Sequence, residues 1–242
     1  MYPILFEING FNIYTHGVLA VVGIIAGSIL IYLIAKKEKM NTSFFADNIV
    51  YSVLVGIIGA RVAYYVVYRD QFLSYSEIYQ LWEGGLVSYG GFLFGGLTFY
   101  FLIKNQKENT RKWFDIFAVG FFLGLFFGRL GNLAAGEHAG VVFEKGISIN
   151  GVFPATFIES ILCLLVFAFG LFSMKKLKLS SGKLFFILIT VYGLGRFIID
   201  VWRVEEKVVS FLSLGQIFDL AVVLFGIVGY LYLTRKVKYA TG

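Results

Sequence analysis

Seven apolar runs, at about 14–35, 46–68, 88–103, 113–135, 153–174, 183–202 and 215–234, decide what this chain can fold into. Most are about 20 residues long, which as a helix covers the ~30 Å hydrocarbon core of a bilayer. Only 15% of the residues are charged and 58% are apolar, where a soluble domain carries about 25% charge. The expected fold is an all-α membrane protein of about seven transmembrane helices, forming a single polytopic domain over residues 1–242.

The basic residues set the orientation. Lys36, Lys37 and Lys39 follow the first run; Lys104, Lys107, Arg111 and Lys112 the third; Lys175, Lys176, Lys178 and Lys183 the fifth; Arg235, Lys236 and Lys238 form the tail. These 14 of 21 basic residues fall on alternate connections, so the positive-inside rule places those connections and the C-terminus in the cytoplasm and the N-terminus outside. The net charge of +6 therefore reports topology and gives no reason to expect nucleic acid. The opposite connections, near 69–87, 136–152 and 203–214, form a small external face. The Met-Tyr-Pro start lacks a basic region, so no cleaved signal peptide is expected and the first helix does its own targeting. Cys163 is the single cysteine, so neither an internal disulfide nor a multi-cysteine metal site can form, and a packed core residue is the simpler reading than a catalytic thiol. No cofactor or metal is called for.

Arginines inside the runs are the exception that needs a reason. Arg61, Arg129 and Arg196 each stand between the 14th and 17th residue of a run that leads from cytoplasm to exterior, at similar depth in the outer part of the membrane. A bare guanidinium there costs roughly 2.5–3.5 kcal/mol or more. Arg203 extends the group toward the outer interface. Each could snorkel to the interface or pair with a buried acid such as Glu159 or Asp200. Several at one level suit an anionic phospholipid, because a guanidinium keeps its charge and grips phosphate through two parallel hydrogen bonds. Asp47, Asn48, Asp115 and Asp219 are expected to serve helix starts or interhelical pairs, and Tyr64, Tyr65, Tyr68 and Trp82 an interfacial aromatic belt.

Around Arg129 the chain reads Gly128-Arg129-Leu130-Gly131-Asn132-Leu133-Ala134-Ala135-Gly136-Glu137-His138. The glycines permit close backbone approach, Asn132 offers an amide donor and acceptor, and Glu137 can accept a proton or hold an arginine. This stretch resembles the Gly-Arg-x-Gly-Asn … Gly-Glu signature of the bacterial prolipoprotein diacylglyceryl transferases. Three further segments fall in that family's order: Gly84–Gly91 with Tyr89, Tyr192 to Arg203 with Arg196 and Asp200, and Ser213-Leu214-Gly215-Gln216. The resemblance implies an enzyme that transfers the diacylglyceryl group of phosphatidylglycerol to the lipobox cysteine of a preprolipoprotein, forming a thioether and releasing glycerol phosphate. The implied setting is a bacterial inner or plasma membrane, with phosphatidylglycerol and the signal peptide and lipobox of the acceptor as partners.

Arg129, Asn132, Glu137, Tyr192, Arg196 and Arg203 take the corresponding family positions; with Arg61, added for its depth, Arg129, Asn132, Tyr192, Arg196 and Arg203 are expected to bind the headgroup, and Arg129, Arg196 and Glu137, with Tyr89 and His16 from this chain's own pattern, to take part in catalysis. The chain departs from the family pattern in having Tyr89 where many members have histidine, Phe153 before Pro154, and His16 where tyrosine is common. The thiol must lose its proton to become a nucleophile, and His16, His138, Glu137 and Tyr89 are the groups considered for that step. Two other functions fit the residues: a divergent paralogue that binds an anionic phospholipid with a different acceptor, and an anion or lipid transporter.

Overall fold

Lipid gives the backbone no hydrogen-bond partner, so apolar runs of this length close their bonds internally as helices. A computed structural model shows this, and describes residues 2–8, 11–72, 74–80, 84–104, 109–137, 140–142, 148–149, 151–177, 182–204, 207–209 and 211–240. The helices are α1 (Thr15–Lys37), α2 (Thr42–Val67), α3 (Ser88–Lys104), α4 (Thr110–Ala135), α5 (Ala155–Phe172), α6 (Lys183–Ile199) and α7 (Leu214–Ala240). All but α3 are long and apolar enough to cross a membrane. At 17 residues, α3 spans about 25 Å, short of a full hydrocarbon core. His138, Trp82, Lys107 and Lys178 lie outside the described residues.

The chain divides into two compact units, Met1–Ile34 with Arg111–Gly242, and Ala35–Thr110. In the first, Ala118, Val119 and Phe122 of α4, Val166 of α5 and Leu184 and Leu188 of α6 form a buried apolar centre. The α1 and α4 backbones meet along small-residue stripes: a Cβ on Gly27 would lie 2.6 Å from the Gly120 carbonyl oxygen, and Gly23 opposes Gly124 in the same way. Such stripes let helices pack closely where lipid removes the hydrophobic drive between them.

Polar groups inside this unit are spent on helix ends. From α4, Asp115 reaches the start of α6, where its carboxylate accepts from the backbone N–H groups of Gly182 and Phe185, both at 2.8 Å. It so satisfies two of the donors that every helix N-terminus leaves open. Gly182 stands at φ +85°, with its open side against Arg111 and Leu233, so it supplies the bend that starts α6. At the start of α7, the Ser213 hydroxyl accepts from Gln216 N–H (3.2 Å) and the Gln216 amide oxygen from Ser213 N–H (3.1 Å), a reciprocal cap. Strands β1 (Ile4–Ile8) and β2 (Phe11–Tyr14) form an antiparallel hairpin at the N-terminus. The Tyr2 N–H donates to the Ala134 carbonyl at 2.8 Å, and Thr15 donates to the Pro3 carbonyl through its N–H and to the Tyr2 carbonyl through its hydroxyl. The start of α1 is thereby tied to the end of α4. A second small antiparallel pair, β3 (Lys207–Val209) and β4 (Leu212–Ser213), precedes α7.

In the second unit α2 packs on α3 through glycines; a Cβ on Gly56 would lie 3.2 Å from the Gly91 carbonyl oxygen. Two 3₁₀ turns, Arg69–Gln71 and Tyr75–Tyr79, lie between the helices, the second opened by a Ser74–Glu77 capping box.

Replacing Asp115 by alanine leaves two buried N–H groups open and is expected to lower the unfolding free energy by about 3 kcal/mol, read from denaturant unfolding in detergent. Asp115→Asn, which keeps one acceptor oxygen, is expected to lose about half as much.

Candidate active site

Within the first unit the intramembrane arginines converge on one carboxylate. Glu159, on α5, is fully buried. Its Oε1 lies 2.8 Å from Arg129 Nε and 3.3 Å from Arg196 Nε, and accepts from the Tyr192 hydroxyl at 2.7 Å. Its Oε2 accepts from Arg203 Nη2 at 2.6 Å. Two further acids complete the group. Asp219, on α7, accepts from Arg196 Nη1 at 2.7 Å, and Asp200 lies 3.5 Å from Arg196 Nη2 and 2.9 Å from Arg203 Nη1. Three guanidinium groups face three acidic side chains, so the formal charges of the cluster balance. That balance is what allows so much ionic character in a buried place, because an unpaired buried ion costs several kcal/mol.

Local sequence explains the convergence. Tyr192, Arg196 and Asp200 follow at intervals of four and so lie along one face of α6 and the 3₁₀ turn that ends it, and Arg203 comes three residues later. Gly193 gives α7 room beside that face: a Cβ there would lie 2.9 Å from Val223 and 3.4 Å from the Asp219 carbonyl. Asp219 can then reach Arg196.

The three arginines are not equivalent. Both terminal nitrogens of Arg196 and of Arg203 face carboxylates. Arg129 meets Glu159 through Nε, and among the described residues its two terminal NH₂ groups have no protein partner. The side-chain amide of Asn132, one turn further along α4, is likewise without a hydrogen bond among the described residues. At the end of α4, Gly136 turns the chain with φ +80°, and Glu137 N–H donates to the Asn132 carbonyl at 2.9 Å. Glu137 Oε1 then lies 2.9 Å from His16 Nδ1, with both side chains about 40% exposed (41% and 40%).

The structure thus brings Arg129, Tyr192, Arg196 and Arg203 together, and pairs His16 with Glu137. Arg61 and Tyr89 belong to the second unit. Arg61 is buried and donates to four loop carbonyls: Glu77 (2.6 Å), Ile78 (3.1 Å), Gly84 (2.5 Å) and Gly85 (3.1 Å). Tyr89 is half-buried in the first turn of α3. Cys163 is fully buried, one turn after Glu159 on α5. Sequence reading named Glu159 and Asp200 only as partners for a single arginine and did not foresee their assembly with Asp219. The signal was there: each is the one acid in its apolar run, in a chain with arginines to neutralise.

These features define a multi-pass membrane protein with a neutralised arginine cluster and a histidine–carboxylate pair at the helix ends. The chain matches the family model for prolipoprotein diacylglyceryl transferase over residues 3–232. It is 31% identical to the phosphatidylglycerol--prolipoprotein diacylglyceryl transferase of Clostridium kluyveri, over 98% of this chain and 99% of the relative. It is 31% identical to that of Clostridioides difficile (97% and 96% covered) and 29% identical to that of Finegoldia magna (93% of each). The chain belongs to the prolipoprotein diacylglyceryl transferase family, and with it to the membrane transferases of lipoprotein biosynthesis. Membership does not favour the paralogue or transporter alternatives.

Glu159→Gln removes the charge on which three arginines converge and is expected to cost about 3–5 kcal/mol of stability in detergent unfolding. A loss below about 1 kcal/mol, the size of an exposed ion pair, would show that the cluster does not hold these helices.

Proposed function

We propose that this chain transfers the diacylglyceryl group of phosphatidylglycerol to a lipobox cysteine of a preprolipoprotein, and that Arg129 takes the headgroup phosphate. The names of the relatives supply donor and acceptor class. The observation that carries the assignment is the pair of terminal NH₂ groups on Arg129 that no carboxylate occupies among the described residues. A guanidinium fork of that kind matches two phosphate oxygens in one plane. As the ester bond between glycerol carbon and phosphate oxygen breaks, negative charge grows on the departing glycerol phosphate. A fixed cation beside it lowers the barrier without reorganising at the moment of reaction.

Asn132, on the same α4 turn, supplies a hydrogen bond to a headgroup oxygen. Arg196, Arg203 and Tyr192 act as positioning residues, since both terminal nitrogens of each arginine and the Tyr192 hydroxyl face Glu159, Asp200 or Asp219. Arg61 holds the carbonyls of Glu77, Ile78, Gly84 and Gly85, in place of the headgroup role its depth suggested.

The membrane arrangement that goes with this function has seven crossings, the N-terminus outside and the C-terminus in the cytoplasm of a bacterial cell. The basic connections support that orientation. Donor lipid and the signal peptide of the acceptor both travel within the bilayer, so both enter sideways.

Incubating the purified protein with phosphatidylglycerol and a lipobox peptide is expected to add one diacylglyceryl mass to the peptide, and nothing to a peptide without cysteine. Arg129→Lys keeps a positive charge near Glu159 but loses the fork, and is expected to lower turnover about 100-fold or more. Turnover at the wild-type rate would take the phosphate away from Arg129.

A further inference from the structure

The His16–Glu137 pair is better fixed than a surface ion pair needs to be. Exposed pairs contribute about 0–1 kcal/mol and are usually held by nothing but their own charges. Here each backbone is pinned separately. His16 follows Thr15, whose N–H and hydroxyl are tied to Pro3 and Tyr2. Glu137 is held through its N–H by the Asn132 carbonyl and through its own carbonyl by the Thr156 hydroxyl at 3.1 Å. Gly131 brings the two sides together: a Cβ there would stand 2.9 Å from His16 Cα, so no other residue lets α1 start so close to α4. The Tyr14 ring stacks on the imidazole, with centroids 5.7 Å apart. His16 is thereby placed against the same stretch of α4 that carries Arg129 and Asn132.

The carboxylate also distinguishes the two ring nitrogens. Glu137 Oε1 is 2.9 Å from Nδ1, without the alignment of a hydrogen bond, and a carboxylate that close to one ring nitrogen draws the imidazole proton to it by charge. The lone pair is then on Nε2, which has no partner among the described residues, on a side chain 41% exposed.

We infer that His16 is the general base that takes the proton of the acceptor cysteine thiol through Nε2, with Glu137 as the positioning residue that fixes its tautomer. The inference rests on the transferase reading above. In the step, Nε2 accepts the thiol proton as sulfur forms its bond to the glycerol carbon. The bond from that carbon to the phosphate oxygen breaks, its electron pair stays on the departing glycerol phosphate, and the imidazolium returns its proton to water or to the phosphate. The products are a thioether and glycerol phosphate.

The test compares wild type, His16→Ala, His16→Gln and Glu137→Gln in the peptide-transfer assay, with phosphatidylglycerol binding measured separately. Both His16 variants are expected to lose about 100-fold or more in kcat while still binding the lipid, and free imidazole is expected to restore part of the His16→Ala activity. Glu137→Gln is expected to lower kcat by a smaller factor with KM for the peptide unchanged. Wild-type turnover in either His16 variant would overturn the inference, as would a loss in His16→Ala that imidazole does not recover while lipid binding persists. Failure of the wild type to modify the peptide would instead sink the transferase reading itself.

Discussion

A guanidinium cannot stay in the membrane uncompensated, and in this protein the compensation is centralised on Glu159. One carboxylate on α5 takes Arg129 from α4, Arg196 and the Tyr192 hydroxyl from α6, and Arg203 from just beyond α6. Asp200 and Asp219 bring the count of charges to zero. A phosphate arriving at such a cluster meets no general excess of positive charge. Of the terminal guanidinium nitrogens in the cluster, those of Arg129 face no carboxylate among the described residues. On the proposed function, the carboxylates that make the arginines tolerable also leave Arg129 as the one whose terminal nitrogens are open to a phosphate.

The rest of the first unit serves that geometry. Gly193 admits α7 so that Asp219 reaches Arg196. The Ser213–Gln216 cap fixes the start of α7 only a few residues before Asp219. Asp115 fixes where α6 begins, and therefore the height at which Tyr192 and Arg196 emerge along it. At the other end of α4, Gly131 and Gly136 shape the passage from the arginine to Glu137 and His16.

Most of the helical fold could be read from hydropathy, because in lipid an apolar run of twenty residues has essentially one way to satisfy its backbone. The observed helices fall on the seven expected runs, and α3 is the one whose length alone does not carry it across. The site was legible in part. Arg129, Arg196 and Arg203 meet as their depth suggested, joined by Tyr192, which was named for family likeness alone, but equal depth could not distinguish the arginines from Arg61, which turns to loop carbonyls in the other unit. Depth is one coordinate, and the direction of a side chain is another that hydropathy does not hold. Ser213-Leu214-Gly215-Gln216 was quoted for family likeness alone, although Ser-x-x-Gln before an apolar run is a capping pattern that could have been read physically. The pairing of His16 with Glu137, 121 positions apart in the chain, depends on the contact of α1 with α4 and had no local signature.

The most direct test of the central claim is an experimental structure with phosphatidylglycerol bound. The account predicts the phosphate on the terminal nitrogens of Arg129, within hydrogen-bond distance, while Arg196 and Arg203 keep their contacts to Glu159, Asp200 and Asp219. A phosphate seated on Arg196 or Arg203 with Glu159 displaced would contradict it.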